Sequence, residues 1–123
     1  MSHRKLLITL VALALLPVSA WAADISGTWK ASFDTQIGKQ DYTYTFAVAA
    51  GKLTGKAKSA NGESDLVEGK VDGDKVTFVE NLNYQGNAVK ITYTGMVVSA
   101  DEIKFHRDVM GMAQEDLVAK RAK

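Results

Sequence analysis

From Gly27 to Lys120, apolar and polar side chains alternate with a period of two, in runs of six to ten residues broken by turn formers. That period places successive side chains on opposite faces of an extended strand. No segment after residue 22 keeps the spacing of an amphipathic helix. The pattern predicts eight strands, at Gly27–Asp34, Tyr42–Ala50, Lys52–Ser59, Ser64–Val71, Lys75–Leu82, Val89–Val98, Glu102–Asp108 and Glu115–Lys120. Asn61-Gly62 and Asp72-Gly73 supply residues that tolerate positive φ, as tight hairpins require, and Gly51 lets the second strand reverse into the third.

The alternation also assigns faces. Trp29, Ala31 and Phe33 share one side of the first strand, against Thr28, Lys30 and Ser32. Tyr42, Tyr44, Phe46 and Val48 oppose Thr43, Thr45 and Ala47 in the second, and Val76, Phe78, Val89, Ile91, Tyr93, Ile103 and Phe105 continue the apolar side. Consecutive hairpins with one apolar face curl most simply into a closed barrel, which also removes exposed strand edges. The expected fold is all-β, an antiparallel up-and-down meander closed as an eight-stranded barrel, with a two-sheet sandwich as the alternative.

Residues 1–22 read as a signal peptide. His3-Arg4-Lys5 is basic, Leu6 to Leu16 is apolar apart from Thr9, and Ala20-Trp21-Ala22 is an A-x-A cleavage pattern. The apolar run falls short of the roughly 20 residues that span a bilayer. Cleavage before Ala23 leaves residues 23–123 as one exported domain, periplasmic or extracellular, with no further insertion into a membrane expected. The chain has no cysteine, so burial alone must hold the domain together. Without Arg4 and Lys5, 13 basic residues face 14 acidic ones, interspersed, and no nucleic-acid partner is expected.

Gly27-Thr28-Trp29 and Gly51-Lys52-Leu53-Thr54-Gly55 resemble the G-x-W and G-x-L-T-G motifs of the calycins, the lipocalin and avidin-type barrels. Val71-Asp72-Gly73-Asp74, Tyr93-Thr94-Gly95, Asp101-Glu102-Ile103, Arg107 and Ala119-Lys120-Arg121 are also similar to a group of small secreted bacterial domains of unknown function. The calycin resemblance implies a barrel closed at one end by Trp29 with a basic residue packed against it. Arg107 shares a face with Ile103 and Phe105 and is the expected partner; Arg121 is the other candidate. Trp29 is the only tryptophan after the signal peptide, where avidin-type biotin pockets use several.

Catalytic signals are sparse, and the expected function is non-enzymatic. His106 is the only histidine after residue 22, and no G-x-S-x-G, H-E-x-x-H or phosphate-binding glycine loop occurs. Asp72/Asp74 and Asp101/Glu102 fall in predicted turns, where acidic residues serve backbone hydrogen bonding. No cofactor is implied. Trp29, Phe33, Tyr42, Tyr44, Phe46, Phe78, Tyr93 and Phe105 all fall on the apolar side. They either fill the interior, which eight strands leave just wide enough for side chains, or line a cavity. The cavity reading makes the domain a binding module for a small apolar or aromatic molecule near Tyr42, Tyr44, Phe46 and Tyr93, and asks for a volume of about 300 Å³. The filled reading makes it a structural or protein-interaction module. A third reading takes His106, Met110 and Met112 as a soft-ligand site for copper(I).

Overall fold

The computed structural model describes residues 24–122. The expected signal peptide and its cleavage site lie outside the described residues. Eight strands follow in order: β1 (Gly27–Thr35), β2 (Gly38–Ala49), β3 (Lys52–Ser59), β4 (Gly62–Asp72), β5 (Lys75–Tyr84), β6 (Asn87–Ser99), β7 (Glu102–Val109) and β8 (Ala113–Arg121). Each pairs antiparallel with the next, and β8 returns to β1, so the sheet closes as an up-and-down barrel. The ladder from β8 to β1 is short, Trp29 opposite Arg121 and Lys30 opposite Lys120, so this seam is laced near one end.

Several strands outrun the apolar pattern that announces them. β2 starts at Gly38 instead of Tyr42 because the β1–β2 hairpin stays paired to Thr35↔Gly38. The β3–β4 and β4–β5 turns centre on Ala60-Asn61 and Gly73-Asp74, one residue away from the expected pairs, since Gly62 and Asp72 still belong to the ladders. At Ala50-Gly51 (φ 52° and 78°) and Gln85-Gly86 (φ 52° and 83°) both central residues are left-handed, the geometry that matches the twist of a two-residue hairpin.

The alternation resolves as expected into a buried inner face and a polar outer one. Trp29, Tyr44, Phe78, Tyr93 and Ile103 are fully buried, while Lys30, Thr45, Lys56 and Lys104 face outward. Rings two residues apart on one strand stack, Tyr42 on Tyr44 at 5.3 Å and Tyr44 on Phe46 at 5.9 Å between centroids. Phe78 stacks on Tyr93 across β5 and β6 at 4.4 Å. Phe105 meets Tyr93 edge-on at 5.8 Å. Burying each such ring contributes about 1.5–3 kcal/mol.

Two glycines make this filling possible. A Cβ on Gly95 would sit 2.4 Å from the Phe105 ring, and one on Gly55 would sit 1.8 Å from the Thr45 carbonyl oxygen. Their missing side chains admit a ring and a neighbouring strand; they leave no empty space.

Candidate functional site

Odd-numbered strands run from one end of the barrel to the other, and the two ends differ. At the end bearing the β2–β3, β4–β5 and β6–β7 turns, Trp29 is wholly buried and donates from Nε1 to the Ile25 carbonyl at 2.9 Å. The basic residue over it is Arg121, whose guanidinium carbon lies 4.6 Å from the Trp29 ring centroid. Arg121 also donates to the carbonyls of Ala100 (2.9 Å), Ser26 (2.8 Å) and Asp24 (3.2 Å). It thereby ties the segment before β1 to the β6–β7 turn. This corrects the expectation for Arg107. Counting along β7 from its start at Glu102 takes Arg107 well away from the Trp29 end, because each strand residue advances about 3.3 Å.

Arg107 sits instead beneath the opposite end, the mouth. Its guanidinium carbon lies 5.2 Å from the Phe33 ring centroid and 5.1 Å from that of Tyr42. Its Nε donates to the Tyr93 hydroxyl at 2.9 Å and its Nη2 to the Tyr42 hydroxyl at 2.8 Å. Each hydroxyl then donates its own proton to Glu80, Tyr93 to Oε1 at 2.8 Å and Tyr42 to Oε2 at 3.1 Å. Arg107 Nη1 reaches Glu115 Oε1 at 2.7 Å, and its Nη2 lies 3.8 Å from Glu80 Oε1. One guanidinium therefore serves two carboxylates.

Burial sets the ionisation of this cluster. It raises the Glu80 carboxyl above its ordinary value, against the lowering effect of the Tyr93 hydrogen bond and of Arg107. It pushes Tyr42 up to about 12, helped by the Glu80 charge and opposed by Arg107. Tyr44 and Tyr93 are driven well above the ordinary tyrosine range, again chiefly by burial. Ser64 Oγ is buried without a hydrogen-bond partner among the described residues.

Over the cluster lies a cavity of about 150 Å³, open at the mouth. Its walls are Leu82, Tyr84, Val89, Ile91 and Val109, and its floor is Tyr42, Arg107 and Glu115. Thr35, Gln36, Gln40 and Asn61 form the polar part of its rim. Of the expected ligand-contacting residues, only Tyr42 reaches this space. Tyr44, Phe46 and Tyr93 are shut into the ring stack below, so the expected central cavity of roughly 300 Å³ is replaced by interdigitated rings and a smaller cavity above them. A broader depression runs along the outside of the barrel beside Met96, Lys104, His106 and Val118 and across the β8–β1 seam. It reaches Phe33, Phe105 and Leu117 through the seam, and shares Phe33 and Glu115 with the cluster around Arg107.

His106 projects outward. Its Nδ1 contacts Asp116 Oδ1 at 2.8 Å and its Nε2 contacts Gln114 Oε1, so both ring nitrogens are engaged by β8. The Asp116 and Gln114 hydrogen bonds raise its pKa. Met110 and Met112 occupy the β7–β8 turn and are exposed. Asp108 accepts from the Gly111 amide at 2.9 Å, which accounts for its place beside that turn. A metal at His106 would have to displace Asp116 or Gln114.

Glu80 and Glu115 escaped the sequence reading, although strand parity contains the signal. Val76, Phe78, Glu80 and Leu82 alternate onto the inner face, as do Glu115, Leu117 and Ala119.

No protein-family model matches the chain, and no curated protein does. Solved structures do. A redesigned β-barrel superimposes with a TM-score of 0.60 at 17% identity, covering 80% of this chain and 92% of that one. A second redesigned β-barrel, solved bound to DFHBI, gives 0.55 at 14% identity over 79% of this chain and 94% of the other. A de novo fluorescence-activating β-barrel gives 0.59 at 16% identity, covering 81% and 96%. At these identities the likeness establishes the eight-stranded antiparallel barrel.

Proposed function

We propose that this protein is an exported, non-enzymatic binding module that takes a small, largely apolar molecule into the mouth of its barrel. The single observation that carries the reading is the cavity above Arg107, apolar on its walls and polar at its floor and rim. Convergent polar groups beneath apolar walls are how small-molecule sites fix orientation while burial supplies affinity. The mouth end supports it too. There Arg107, Tyr42 and Glu115 are held by a hydrogen-bonded network, so their geometry is set before a ligand arrives. The barrels similar to this one include a redesigned barrel bound to DFHBI, compatible with a ligand at this architecture. The calycin-like assignment rests on Trp29 beneath Arg121 at the closed end.

The cavity admits only a fragment-sized ligand: a dry cavity of ~150 Å³ accepts a benzene-sized molecule. Phenethyl alcohol is a suitable probe. Calorimetric titration should give a Kd of about a millimolar or tighter, within the range open to so few atoms. Val89→Phe, which fills the cavity from its wall, should abolish that binding without lowering thermal stability. Undiminished binding by the filled variant would remove the mouth as the site.

A second reading has its own observation. Met96 and Val118 lie exposed on the outer surface with Lys104 paired between them, so an interaction module would use this face. Loss of probe binding in Val89→Phe separates the two.

A further inference from the structure

We infer that the mouth cavity selects for a ligand bearing a protonated amine and against one bearing a carboxylate. The inference rests on the mouth being the binding site and adds the charge of what it binds.

The charge count carries it. Among the described residues, Arg107 and Glu115 are the only charged ones lining the cavity, and Glu80 lies directly behind the floor. Arginine stays protonated throughout the physiological range. Glu80 accepts from the hydroxyls of both Tyr42 and Tyr93 and lies 3.8 Å from Arg107 Nη2, surroundings that favour its carboxylate form. The cluster therefore holds one cation and two anions, an excess of one negative charge in a site largely removed from water. The side chains of Arg107 and Glu115 are only 5% and 9% exposed, so solvent screens this excess weakly.

Both floor residues keep free valences, since Arg107 uses three of its five N–H groups, and the net charge decides between them. Glu115 Oε1 is engaged by Arg107, while no hydrogen bond from the described residues engages Oε2. An ammonium donating to that oxygen would restore neutrality to the cluster. A carboxylate there would place a third anion around one guanidinium. The rim adds no cation to offset this, because Gln36, Gln40 and Asn61 are neutral. Tyr42 and Tyr84 also line the cavity, and an ammonium favours aromatic surroundings.

Three probes of nearly equal size and different charge test the inference: phenethylamine, phenethyl alcohol and phenylacetate, titrated into the wild-type protein at neutral pH and low salt. The amine should bind at least about tenfold tighter than phenylacetate, with the alcohol between them. Glu115→Gln removes the excess charge, and the span between amine and acid should fall below about threefold. If Glu115→Gln does not fold, the carbon shift of the Glu115 carboxyl on amine addition to wild type replaces it, and no shift counts against the inference. Phenylacetate binding as tightly as the amine would overturn the charge preference and leave the cavity reading standing. Failure of all three to bind would overturn both.

Discussion

Tyr44 donates its hydroxyl proton to the Tyr93 oxygen at 2.9 Å, because Tyr93 has already directed its own to Glu80 at 2.8 Å. The hydroxyls of Tyr42, Tyr44 and Tyr93 are thus neither wet nor orphaned. Arg107 feeds protons into the chain and Glu80 collects them, which lets polar tyrosines sit in the middle of an otherwise apolar barrel. Buried hydroxyls without such partners would be strongly unfavourable.

This arrangement predicts the alkaline behaviour of the fold. Tyr42, Tyr44 and Tyr93 have folded-state pKa values above the unfolded value of about 10. Groups raised in this way stabilise the fold fully below the unfolded pKa, and the contribution is lost as pH rises through the folded one. Stability should therefore fall above about pH 10, by about 1.4 kcal/mol per pH unit for each lagging tyrosine. Tyrosinate absorbance followed together with circular dichroism checks this. Ionisation of all tyrosines at pH 10 with the fold intact would contradict it.

Removing the cation should harm the protein more than removing the whole cluster. Arg107→Ala leaves Glu80 and Glu115 buried without their guanidinium and should cost about 3–5 kcal/mol in denaturant unfolding. Replacing Arg107, Glu80 and Glu115 with Met, Leu and Leu, together with Phe at Tyr42, Tyr44 and Tyr93, should recover much of that loss, since the desolvated charges and the hydroxyls that depend on them go together. A loss below about 1 kcal/mol for Arg107→Ala would mean that water reaches the cluster freely.

At the other end, Trp29→Ala should cost about 3–5 kcal/mol, as buried aromatic truncations do. Arg121→Ala should cost about 1–2 kcal/mol through the lost ring contact and the carbonyls of Asp24, Ser26 and Ala100 that it leaves unbonded. Equal losses for Arg107→Ala and Arg121→Ala in a Trp29→Ala background would contradict this division of labour, because only Arg121 is coupled to Trp29.

The strand count and faces were legible because a period of two leaves little choice once one face is buried. From Trp29 to Phe105 the parity assignments hold residue by residue. The position of a side chain along the barrel was harder to read. Arg107 and Arg121 both face inward, and only the register Trp29↔Arg121 decides which meets the tryptophan. Counting strand direction would have placed Arg107 toward the mouth. The state of the interior was not legible at all: alternation fixes which rings point inward, while bulges such as that between Val67 and Lys70 and close approaches at Gly55 and Gly95 set how tightly the barrel coils around them.

The leader makes a separate prediction. Expressed in a bacterium with an export pathway, the protein recovered from the periplasm should have the intact mass of residues 23–123, with cleavage after Ala22. A cytoplasmic product that retains residues 1–22 would contradict export.

The account centres on the mouth as the place where a ligand binds, and contacts between probe and protein protons test that most directly. With phenethyl alcohol at about millimolar concentration, nuclear Overhauser contacts should link its ring to the methyl groups of Leu82, Val89, Ile91 and Val109 and to the Tyr42 ring, the residues that enclose the cavity. Contacts instead to Met96 and Val118 on the outer face, or none at all, would contradict it.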